Sequence, residues 1–208
     1  PEIDKPDPGD PNVHYFPAGQ IYEVGTLELT SGQSVYIEGG AVVSGRVFAA
    51  RAENIAIRGR GIFDNSYFRR GLPDGRKRSA LFEQCRTVRV EGITFIEPSS
   101  WTLVPAACDD VTIENVKILG DLGAADGIDI VSCTDVVIRG GLIRAGDDCV
   151  AIKSLERTPD GPKPELVRDV RNVLVECITL LSYRGGSAME IGHELRCSEI
   201  ADVVWRDI

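Results

Sequence analysis

Three aspartates at matching points of two consecutive repeats are the residues of this chain best placed to do chemistry. Asp126 opens the phrase Asp126-Gly-Ile-Asp-Ile-Val-Ser, and Asp147 and Asp148 open the phrase Asp147-Asp148-Cys-Val-Ala-Ile-Lys-Ser. Like charges held close together raise one another's pKa, so a cluster of this kind points to a reaction that uses it. Cleavage of a glycosidic bond is such a reaction. One carboxyl stays protonated and donates to the leaving oxygen, while another stays ionised and activates water or attacks the sugar.

The segments that would position these carboxylates share one repeated strand pattern. The pattern occurs six times, and its apolar anchor residues follow one another at intervals of 33, 23, 25, 37 and 30 residues. The anchors are Ile55, Val88, Val111, Val136, Val173 and Val203. Apolar residues return two positions after each anchor, which is the alternation of a strand with one buried face. A period of about 20–50 residues built from short strands is typical of a solenoid.

Two further columns of the repeat predict how each coil turns and continues. Four positions after the anchor we expect a sharp corner, because glycine and asparagine, which tolerate a left-handed backbone, predominate there. These residues are Gly59, Gly92, Asn115, Gly140, Cys177 and Asp207. Seven positions after the anchor we expect the inward face of the next strand. The residues in that column are Ile62, Phe95, Ile118, Ile143 and Leu180.

A strand, a corner and another strand, repeated one layer higher, predict an all-β fold, a right-handed parallel β-helix. Stacking supplies the core, because no single coil can bury its apolar stripe alone. We expect residues 15–208 to form one β-helix domain, which begins as early as the segment 25–43, and residues 1–14 to be a flexible lead-in. The last repeat begins at Asp202 and stops at Ile208, so we expect a truncated helix. Either further C-terminal coils or a capping chain would cover its open end.

Composition and charge restrict the partners and the location. The net charge of -9 argues against nucleic acid and anionic membranes as partners. No apolar run approaches the roughly 18 residues of a transmembrane helix. The chain opens at Pro1 without a visible signal peptide, as a processed or trimmed protein would. We expect a secreted or periplasmic protein.

The six cysteines fit the repeat better than they fit a disulfide framework. Cys85, Cys108 and Cys133 each stand three residues before an anchor, in a column that is apolar throughout. We therefore expect a stacked ladder of buried thiols, since free cysteine behaves as a small hydrophobe. A disulfide between Cys177 and Cys197 stays open, because sequence does not determine connectivity. No cysteine or histidine spacing resembles a zinc site, and we expect neither a metal nor another cofactor.

Extending the repeat alignment predicts a ladder of side chains along one face of the helix. Trp101, Asp126, Asp148 and Ser187 fall in one column, and neighbouring strands lie about 4.8 Å apart. Asp147 falls in the column beside them. The indole of Trp101 offers a flat apolar face for a sugar ring. Aspartates at coil corners also cap turns. We expect only that role of Asp110, Asp135 and Asp202.

These motifs resemble those of glycoside hydrolase family 28, the polygalacturonase family of pectin-lyase-like β-helices. The resemblance runs from Tyr15-Phe-Pro-Ala-Gly to the last residue and includes Ser100-Trp-Thr-Leu-Val-Pro, Asp126-Gly-Ile-Asp and Gly146-Asp-Asp-Cys-Val-Ala-Ile-Lys-Ser. It implies hydrolysis of a polysaccharide with inversion and without a metal. It also implies that Asp147 is the general acid, while Asp126 and Asp148 hold and activate water.

The chain departs from the family pattern around these acids. The first site reads Ala124-Ala125-Asp126 where the family has Asn-Thr-Asp, and Arg184-Gly-Gly-Ser stands where the family has Gly-His-Gly. The Arg-Ile-Lys element that grips the galacturonate carboxylate in the family is not found before Ile208. Galacturonan, rhamnogalacturonan and a neutral polysaccharide are therefore all open as substrates.

Four other residues are candidates for substrate binding beside Trp101 and Ser187. Lys153 and Arg184 flank the predicted cleft and could bind substrate oxygens, although a plain surface role is the favoured alternative. Glu190 aligns with Asp129 and could be a cleft carboxylate or a solvated edge residue. His193 could reach the cleft or belong to a turn. The loops over residues 69–78 and 157–165 are rich in glycine, proline and charge, and the second would form a cleft wall.

Two other functions compete with hydrolysis. A carbohydrate-binding or structural β-helix that has lost catalysis would explain the altered recognition elements, but it would not need three crowded acids. A polysaccharide lyase on the same fold would need a base beside a substrate carboxylate, often with calcium, which clustered carboxylates favour. A chelator distinguishes the second case.

Overall fold

The computed structural model describes residues 3–69, 75–158 and 161–208. Within these residues the regular elements are short strands, one helical turn and one 3₁₀ turn. The strands are β1 Val13–Phe16, β2 Ile21–Leu29, β3 Ser34–Ile37, β4 Val42–Ala50, β5 Glu53–Gly59, β6 Ile62–Asp64, β7 Ala80–Glu83, β8 Arg86–Glu91, β9 Thr94–Ile96, β10 Leu103–Ala106, β11 Asp109–Leu119, β12 Ile128–Val131, β13 Thr134–Ala145, β14 Val150–Lys153, β15 Arg157–Thr158, β16 Gly161–Pro162, β17 Val170–Glu176, β18 Thr179–Ser182, β19 Met189–Ile191 and β20 Ile200–Arg206. Helix α1 is Ser66–Arg69, and the 3₁₀ turn is Pro164–Leu166.

The strands form three parallel sheets that run along the molecule. The first sheet joins β1, β3, β5, β8, the first part of β11, the first part of β13, β17 and β20. The second joins the beginnings of β2 and β4 with β6, β9, the ends of β11 and β13, and β18. The third joins the ends of β2 and β4 with β7, β10, β12, β14 and β19. The chain is thus a right-handed parallel β-helix, as the repeat predicts.

The interior is filled by the columns that the repeat identifies. The anchors pair in register, with Val88 beside Val111, Val136 beside both Val111 and Val173, and the residues two positions later following the same order. From Ile55 to Val173 the anchors are at most 1% exposed. Burial of such a side chain contributes about 1.5–3 kcal/mol, so stacking is the main source of stability.

The corners adopt the backbone that their residue types predict. All six residues four positions after an anchor have positive φ, including the non-glycines Asn115 at 51°, Cys177 at 53° and Asp207 at 54°. A second left-handed column lies directly before the anchors. It consists of Asn54, Thr87, Asp110, Asp135, Asn172 and Asp202, with φ between 53° and 56°. Asparagine and aspartate tolerate this region through local hydrogen bonds, which explains their recurrence.

One residue of the predicted interior is out of register. Ile62 was expected to face inward, but Phe63 pairs with Phe95 and is fully buried, while Ile62 pairs with Thr94 and is partly exposed. In the pairing register the corner of Gly59, Arg60 and Gly61 lies opposite only two residues, because Arg58 pairs with Glu91 and Ile62 pairs with Thr94. Because strand side chains alternate, that extra residue exchanges the inward and outward positions.

The cysteine ladder is confirmed. Cys85, Cys108 and Cys133 are at most 1% exposed, and the backbone N–H of each of the first two donates to the sulfur of the next at 3.4 Å. Cys177 and Cys197 are both free, so the disulfide left open by the sequence is not formed.

The predicted lead-in and loops are packed against the helix where the structure describes them. Ile3 is buried and its side chain lies against Gly92, and the Lys5 ammonium is 2.5 Å from a Glu38 carboxylate oxygen. Residues 70–74 of the loop over 69–78, and residues 159 and 160 of the loop over 157–165, lie outside the described residues. Within the described ranges no helix is long and apolar enough to cross a membrane.

Candidate active site

Backbone hydrogen bonds stack the predicted ladder at the entrance to the third sheet. The N–H of Thr102 donates to the Asp126 carbonyl at 3.0 Å, Gly127 N–H donates to Asp148 at 2.8 Å, and Cys149 N–H donates to Ser187 at 2.9 Å. These bonds continue the register of β10, β12, β14 and β19 by one or two residues. Trp101, Asp126, Asp148 and Ser187 therefore occupy one column, as the alignment predicts.

Asp126, Asp147 and Asp148 meet at one end of an open cleft. Each contributes a carboxylate oxygen to a group in which all the oxygens lie within 4.8 Å of one another. Asp126 is 2% exposed and Asp148 8% exposed, whereas Asp147 is partly open to solvent. The cleft has a volume of about 300 Å³. Its other lining residues are Trp101, Ala124, Lys153, Gly185, Gly186, Ser187, Glu190, His193 and Glu194.

Two glycines allow the coils to approach closely at these acids. A Cβ on Gly146, directly before Asp147, would lie 1.9 Å from the Leu122 carbonyl oxygen. A Cβ on Gly186 would lie 2.2 Å from the Asp147 carbonyl carbon. In both cases the added Cβ would meet backbone atoms, so a side chain at either position would force the backbone to shift. The distances between the carboxylates therefore depend on glycine at both positions.

Lys153 supplies a buried positive charge behind the cleft. Its ammonium lies 2.7 Å from Asp126 Oδ2, 2.7 Å from Asp129 Oδ1 and 3.5 Å from Glu194 Oε2. Lys153 is 3% exposed, which excludes the plain surface role left open by the sequence. Its binding of substrate oxygens stays a prediction, and its ammonium is already shared by protein carboxylates.

Trp101 is part of this charged group rather than a free platform. Its ring centroid lies 3.6 Å from the Lys153 ammonium and 4.2 Å from the Arg78 guanidinium. Arg78 in turn is 3.0 Å from Glu156 Oε1 and donates to Ser100 Oγ at 2.6 Å. Trp101 lines the cleft but is only 9% exposed, so stacking of a sugar on its ring stays a prediction. The ring makes cation–π contacts with both side chains, which lowers the cost of burying their charges.

Burial and neighbouring charges separate the acids chemically. Burial, and then the Asp129 carboxylate, raise the pKa of Asp126 to about 8 against the opposing effect of Lys153. Partial burial, and then the charges of Asp126 and Asp148, raise the pKa of Asp147. The pKa of Asp147 is thus shifted in the direction that suits a general acid, and its side chain is partly open to solvent.

The rim of the cleft contains the remaining candidates. Ser187 donates its backbone N–H to Asp148 Oδ1 at 2.7 Å, which fixes the orientation of that carboxylate. Glu190 lines the cleft in register with Ala151, and His193 lines it as well. Arg184 is exposed just outside the lining, with its guanidinium 5.9 Å from the centroid of the Tyr183 ring.

Tyr183 and Arg144 extend the rim beyond the residues that sequence reasoning identified. The Arg144 guanidinium stacks 4.3 Å from the Tyr183 ring centroid, and Tyr183 is 55% exposed. Among the described residues neither Arg144 nor Arg184 forms a salt bridge with a carboxylate. Arg184 directly precedes Gly185 of the cleft lining, and the Tyr183 N–H donates to the carbonyl of Ala145, two residues before Asp147.

Asp129, Glu194 and Arg78 were also not assigned to the site from the sequence. The repeat alignment could have pointed to Asp129, because it places Asp129 in the same column as Glu190. Asp129 also lies two residues before the strand partner of Lys153, so both side chains are on the same face of the sheet. Glu194 and Arg78 lie in irregular segments, where no repeat column applies. The three clustered aspartates are also spaced closely enough to hold a cation, so the calcium-dependent lyase alternative stays open to a chelator test.

Sequence comparison identifies relatives of this chain. Residues 28–194 match the family described as glycosyl hydrolases family 28. A probable polygalacturonase of Arabidopsis thaliana is 34% identical over 83 residues, which cover 38% of this chain and 18% of the relative. A probable polygalacturonase of Vitis vinifera is 33% identical over 69 residues, or 32% of this chain and 14% of the relative. The matched segments are thus a small part of these curated relatives.

Solved structures share the fold. A hyperthermoactive exopolygalacturonase from Thermotoga maritima superposes with a TM-score of 0.71 at 23% identity, over 93% of this chain and 57% of the other. The polygalacturonase from Erwinia carotovora superposes with a TM-score of 0.57 at 17% identity, over 89% of this chain and 67% of the other. At these identities the likeness concerns the β-helix itself.

Proposed function

The chain belongs to family 28 of the glycosyl hydrolases, and on that premise we propose that it hydrolyses an O-glycosidic bond of a pectin-type polysaccharide. The observation that carries the proposal is the cluster of Asp126, Asp147 and Asp148, whose oxygens lie within 4.8 Å in an open cleft. Only Asp147 of the three is partly open to solvent, and partial burial is the largest cause of its raised pKa.

Asp147 is the general acid in this mechanism. A glycosidic oxygen entering the cleft meets Asp147 before the other acids, because Asp126 and Asp148 are nearly buried. The rise in the pKa of Asp147 caused by partial burial favours its role as the donor of a proton to the leaving oxygen. General acid catalysis of this kind contributes about 10²–10⁴-fold to rate.

Asp148 and Asp126 hold and activate the attacking water. They lie one rung apart in the same column, so one water molecule can contact both carboxyl groups. The Asp126 pKa of about 8 leaves that group largely protonated at neutral pH. Asp148 is therefore the acceptor of the proton of the water, and Asp126 fixes the position of the water beside it.

We assign inversion of the anomeric centre. Carboxyl groups are about 6.5–9.5 Å apart in most inverting glycosidases and about 5–5.5 Å apart in retaining ones, so the close cluster here does not by itself favour inversion. The burial of Asp126 and Asp148 supports inversion. Carboxylates that are 2% and 8% exposed are poorly placed to attack a sugar carbon directly, whereas a water molecule held between them can reach it. Proton NMR of the first product formed, before mutarotation, tests the assignment. A product with the anomeric configuration of the substrate would overturn it.

The residues near the rim support a pectin-type substrate. Arg144 and Arg184 carry guanidiniums without a salt bridge among the described residues, in a chain of net charge -9. Guanidinium groups bind carboxylates well, and galacturonate units of galacturonan or rhamnogalacturonan present them. The aromatic ring of Tyr183 adds a surface for a sugar face. A protein acting on such cell-wall polymers would be secreted or periplasmic.

Release of reducing ends tests the proposal. The protein and its Asp147→Asn variant are incubated with galacturonan, rhamnogalacturonan and neutral polysaccharides in the presence of a chelator. We expect release from a galacturonate-containing polymer and a loss of about 10²–10⁴-fold in the variant. Asp135→Asn, which removes one carboxylate from the opposite sheet, is the matched control and keeps full activity.

Other results would favour the competing functions. Binding of a polysaccharide by the folded protein without any release would favour a carbohydrate-binding β-helix. Cleavage that a chelator abolishes and that yields unsaturated sugar ends would favour a lyase. Cleavage of neutral polymers alone would contradict the role of the rim arginines.

A further inference from the structure

A buried ion group lies directly behind the catalytic cluster. The Lys153 ammonium contacts Asp126 Oδ2 and Asp129 Oδ1, each at 2.7 Å, and all three residues are at most 3% exposed. A buried charge is strongly destabilising unless it is paired. A position of this kind would ordinarily be filled by an apolar residue, so the group points to a role beyond stability.

Asp129 differs from the other acids of the site because it has no access to substrate. It is fully buried, it is not among the residues that line the cleft, and Lys153 is its salt-bridge partner among the described residues. Its place on β12 is fixed by pairing with Ala151 of β14, two residues before Lys153. The two strands therefore hold Asp129 and Lys153 on the same face of the third sheet.

Charged groups face this pair from every neighbouring element. Asp147 and Asp148 belong to the turn before β14, and their charges act on the same cluster. Glu194, after β19, lies 3.5 Å from the ammonium, and His193 lines the same cleft. Arg78, before β7, and Lys153 both lie against the ring of Trp101. The ammonium is thus surrounded by carboxylates and an aromatic ring, and Asp126 receives only part of its charge.

We propose that Asp129 and Lys153 form a positioning pair that sets the orientation and the charge of Asp126, so that Asp129 controls the reaction without touching substrate. Lys153 holds Asp126 Oδ2 and leaves the other oxygen for the water. Asp129 competes for the same ammonium and adds a like charge, and both effects keep Asp126 from ionising at neutral pH. Asp148 then accepts the proton of the water, and Asp126 holds the water in place.

The direct test is the titration of Asp126 in Asp129→Asn, followed by carbon NMR of the labelled carboxyl groups. Asparagine keeps the shape of the side chain but removes its charge, so Lys153 acts on Asp126 alone. We expect the pKa of Asp126 to fall from about 8 by roughly 1–3 units. An unchanged pKa of Asp126 in the folded variant would overturn the proposal.

Glu176→Gln is the matched control. Glu176 is also a buried carboxylate, 5% exposed, but it pairs with Arg139 and Arg206 on the first sheet. Its loss removes one buried charge and two salt bridges without touching the cleft. We expect the titration of Asp126 to be the same in this variant as in the unaltered protein.

The kinetic test rests on the proposed function. In Asp129→Asn we expect the part of the kcat–pH profile that follows the ionisation of Asp126 to move to lower pH, by the same amount as the measured pKa of Asp126. KM should stay within about twofold. Since the NMR titration needs no substrate, a protein that cleaves nothing would refute the proposed function and leave the result on the pair intact.

A charge-balanced double variant separates positioning from folding. Lys153→Met alone leaves Asp126 and Asp129 without a cation and is expected to unfold readily. Lys153→Met with Asp129→Asn removes one charge of each sign. We expect this variant to fold with kcat reduced at least tenfold and KM nearly unchanged. A double variant with the original kcat and pH profile would show that the pair only stabilises the fold, and the proposal would fail.

Discussion

Two columns of turn residues carry aspartates in this β-helix, and their surroundings are opposite. The column directly before the anchors of the first sheet contains Asp110, Asp135 and Asp202 in the left-handed region, all exposed. Neighbouring rungs there are joined by side-chain hydrogen bonds, from Asn172 to Asp135 at 2.9 Å and from Thr87 to Asp110 at 2.9 Å. The column before the third sheet contains Asp126 and Asp148, both buried.

The difference shows that environment, more than residue type, assigns a role to an aspartate in a solenoid. On the first sheet water solvates stacked acids and screens their repulsion. On the third sheet water is largely removed, and a buried lysine and a backbone N–H take its place. The same one-rung spacing is therefore compatible with a structural ladder in one column and with acid/base chemistry in the other.

Neutralising one rung in each column should separate the two roles most sharply. Asp148→Asn removes the group that accepts the proton of the water, and we expect a loss of about 10²–10⁴-fold in kcat. Asp110→Asn should leave kcat unchanged. Initial rates on the substrate identified by the polysaccharide panel measure both. Equal losses would mean that the columns do not differ in function.

The pH dependence of stability should differ next. Because the pKa of Asp126 is raised to about 8, the protonated carboxyl favours the folded state. Its contribution is fully present below the ordinary aspartate pKa and is lost as the pH rises through about 8. Asp126→Asn should therefore lose less stability than the unaltered protein between about pH 5 and pH 8, roughly the interval over which the ionisation of Asp126 is linked to unfolding. Urea denaturation at both ends of the interval measures this, and parallel curves would contradict it.

The close approach of coils at the cleft predicts a smaller effect. Gly186→Ala places a methyl group against the Asp147 backbone and should cost about 1–3 kcal/mol while lowering kcat. Gly123→Ala is the matched control, because a Cβ there meets nothing within 4 Å. Thermal denaturation and kcat are measured for both. Similar values for the two variants would show that the cleft tolerates extra volume.

The smallest effect concerns the exposed column. Asp135→Val places a branched side chain at φ 56° and should cost about 1–2 kcal/mol. Asp135→Asn keeps a residue type that accepts this backbone and should be nearly neutral. Neither change should alter kcat. Denaturant midpoints of the pair provide the comparison, and a valine variant of undiminished stability would argue against strain at this corner.

The fold could be predicted because each coil repeats the same physical problem. The anchors, the left-handed corners and the cysteine ladder all follow from columns whose residues share a physical property, either apolar character or tolerance of a left-handed backbone. The prediction failed at Ile62, where the corner of Gly59, Arg60 and Gly61 is one residue longer than later corners. An alignment based on the common pattern of the repeats does not reveal an inserted residue when the residues around it are themselves typical of a corner.

The site could be predicted only as far as it lies in columns. Asp126, Asp148 and Ser187 stack as the alignment requires. The surroundings of Lys153 could not be inferred, because they combine Asp129, Glu194 and Trp101 from three different coils. Such contacts depend on side-chain direction and on loops of irregular length, neither of which the repeat encodes.

The cysteine ladder makes the thiols of this protein a reporter of its folded state. Hydrogen bonding to the neighbouring thiol, and then burial, raise the pKa of Cys85, and burial raises the pKa of Cys149. Since the thiolate is the reactive form, these groups resist alkylation while the coils remain stacked. Cys177 is exposed and Cys197 half-exposed, so both accept a label under native conditions. The appearance of further labelled thiols would then time the opening of the interior without any added probe.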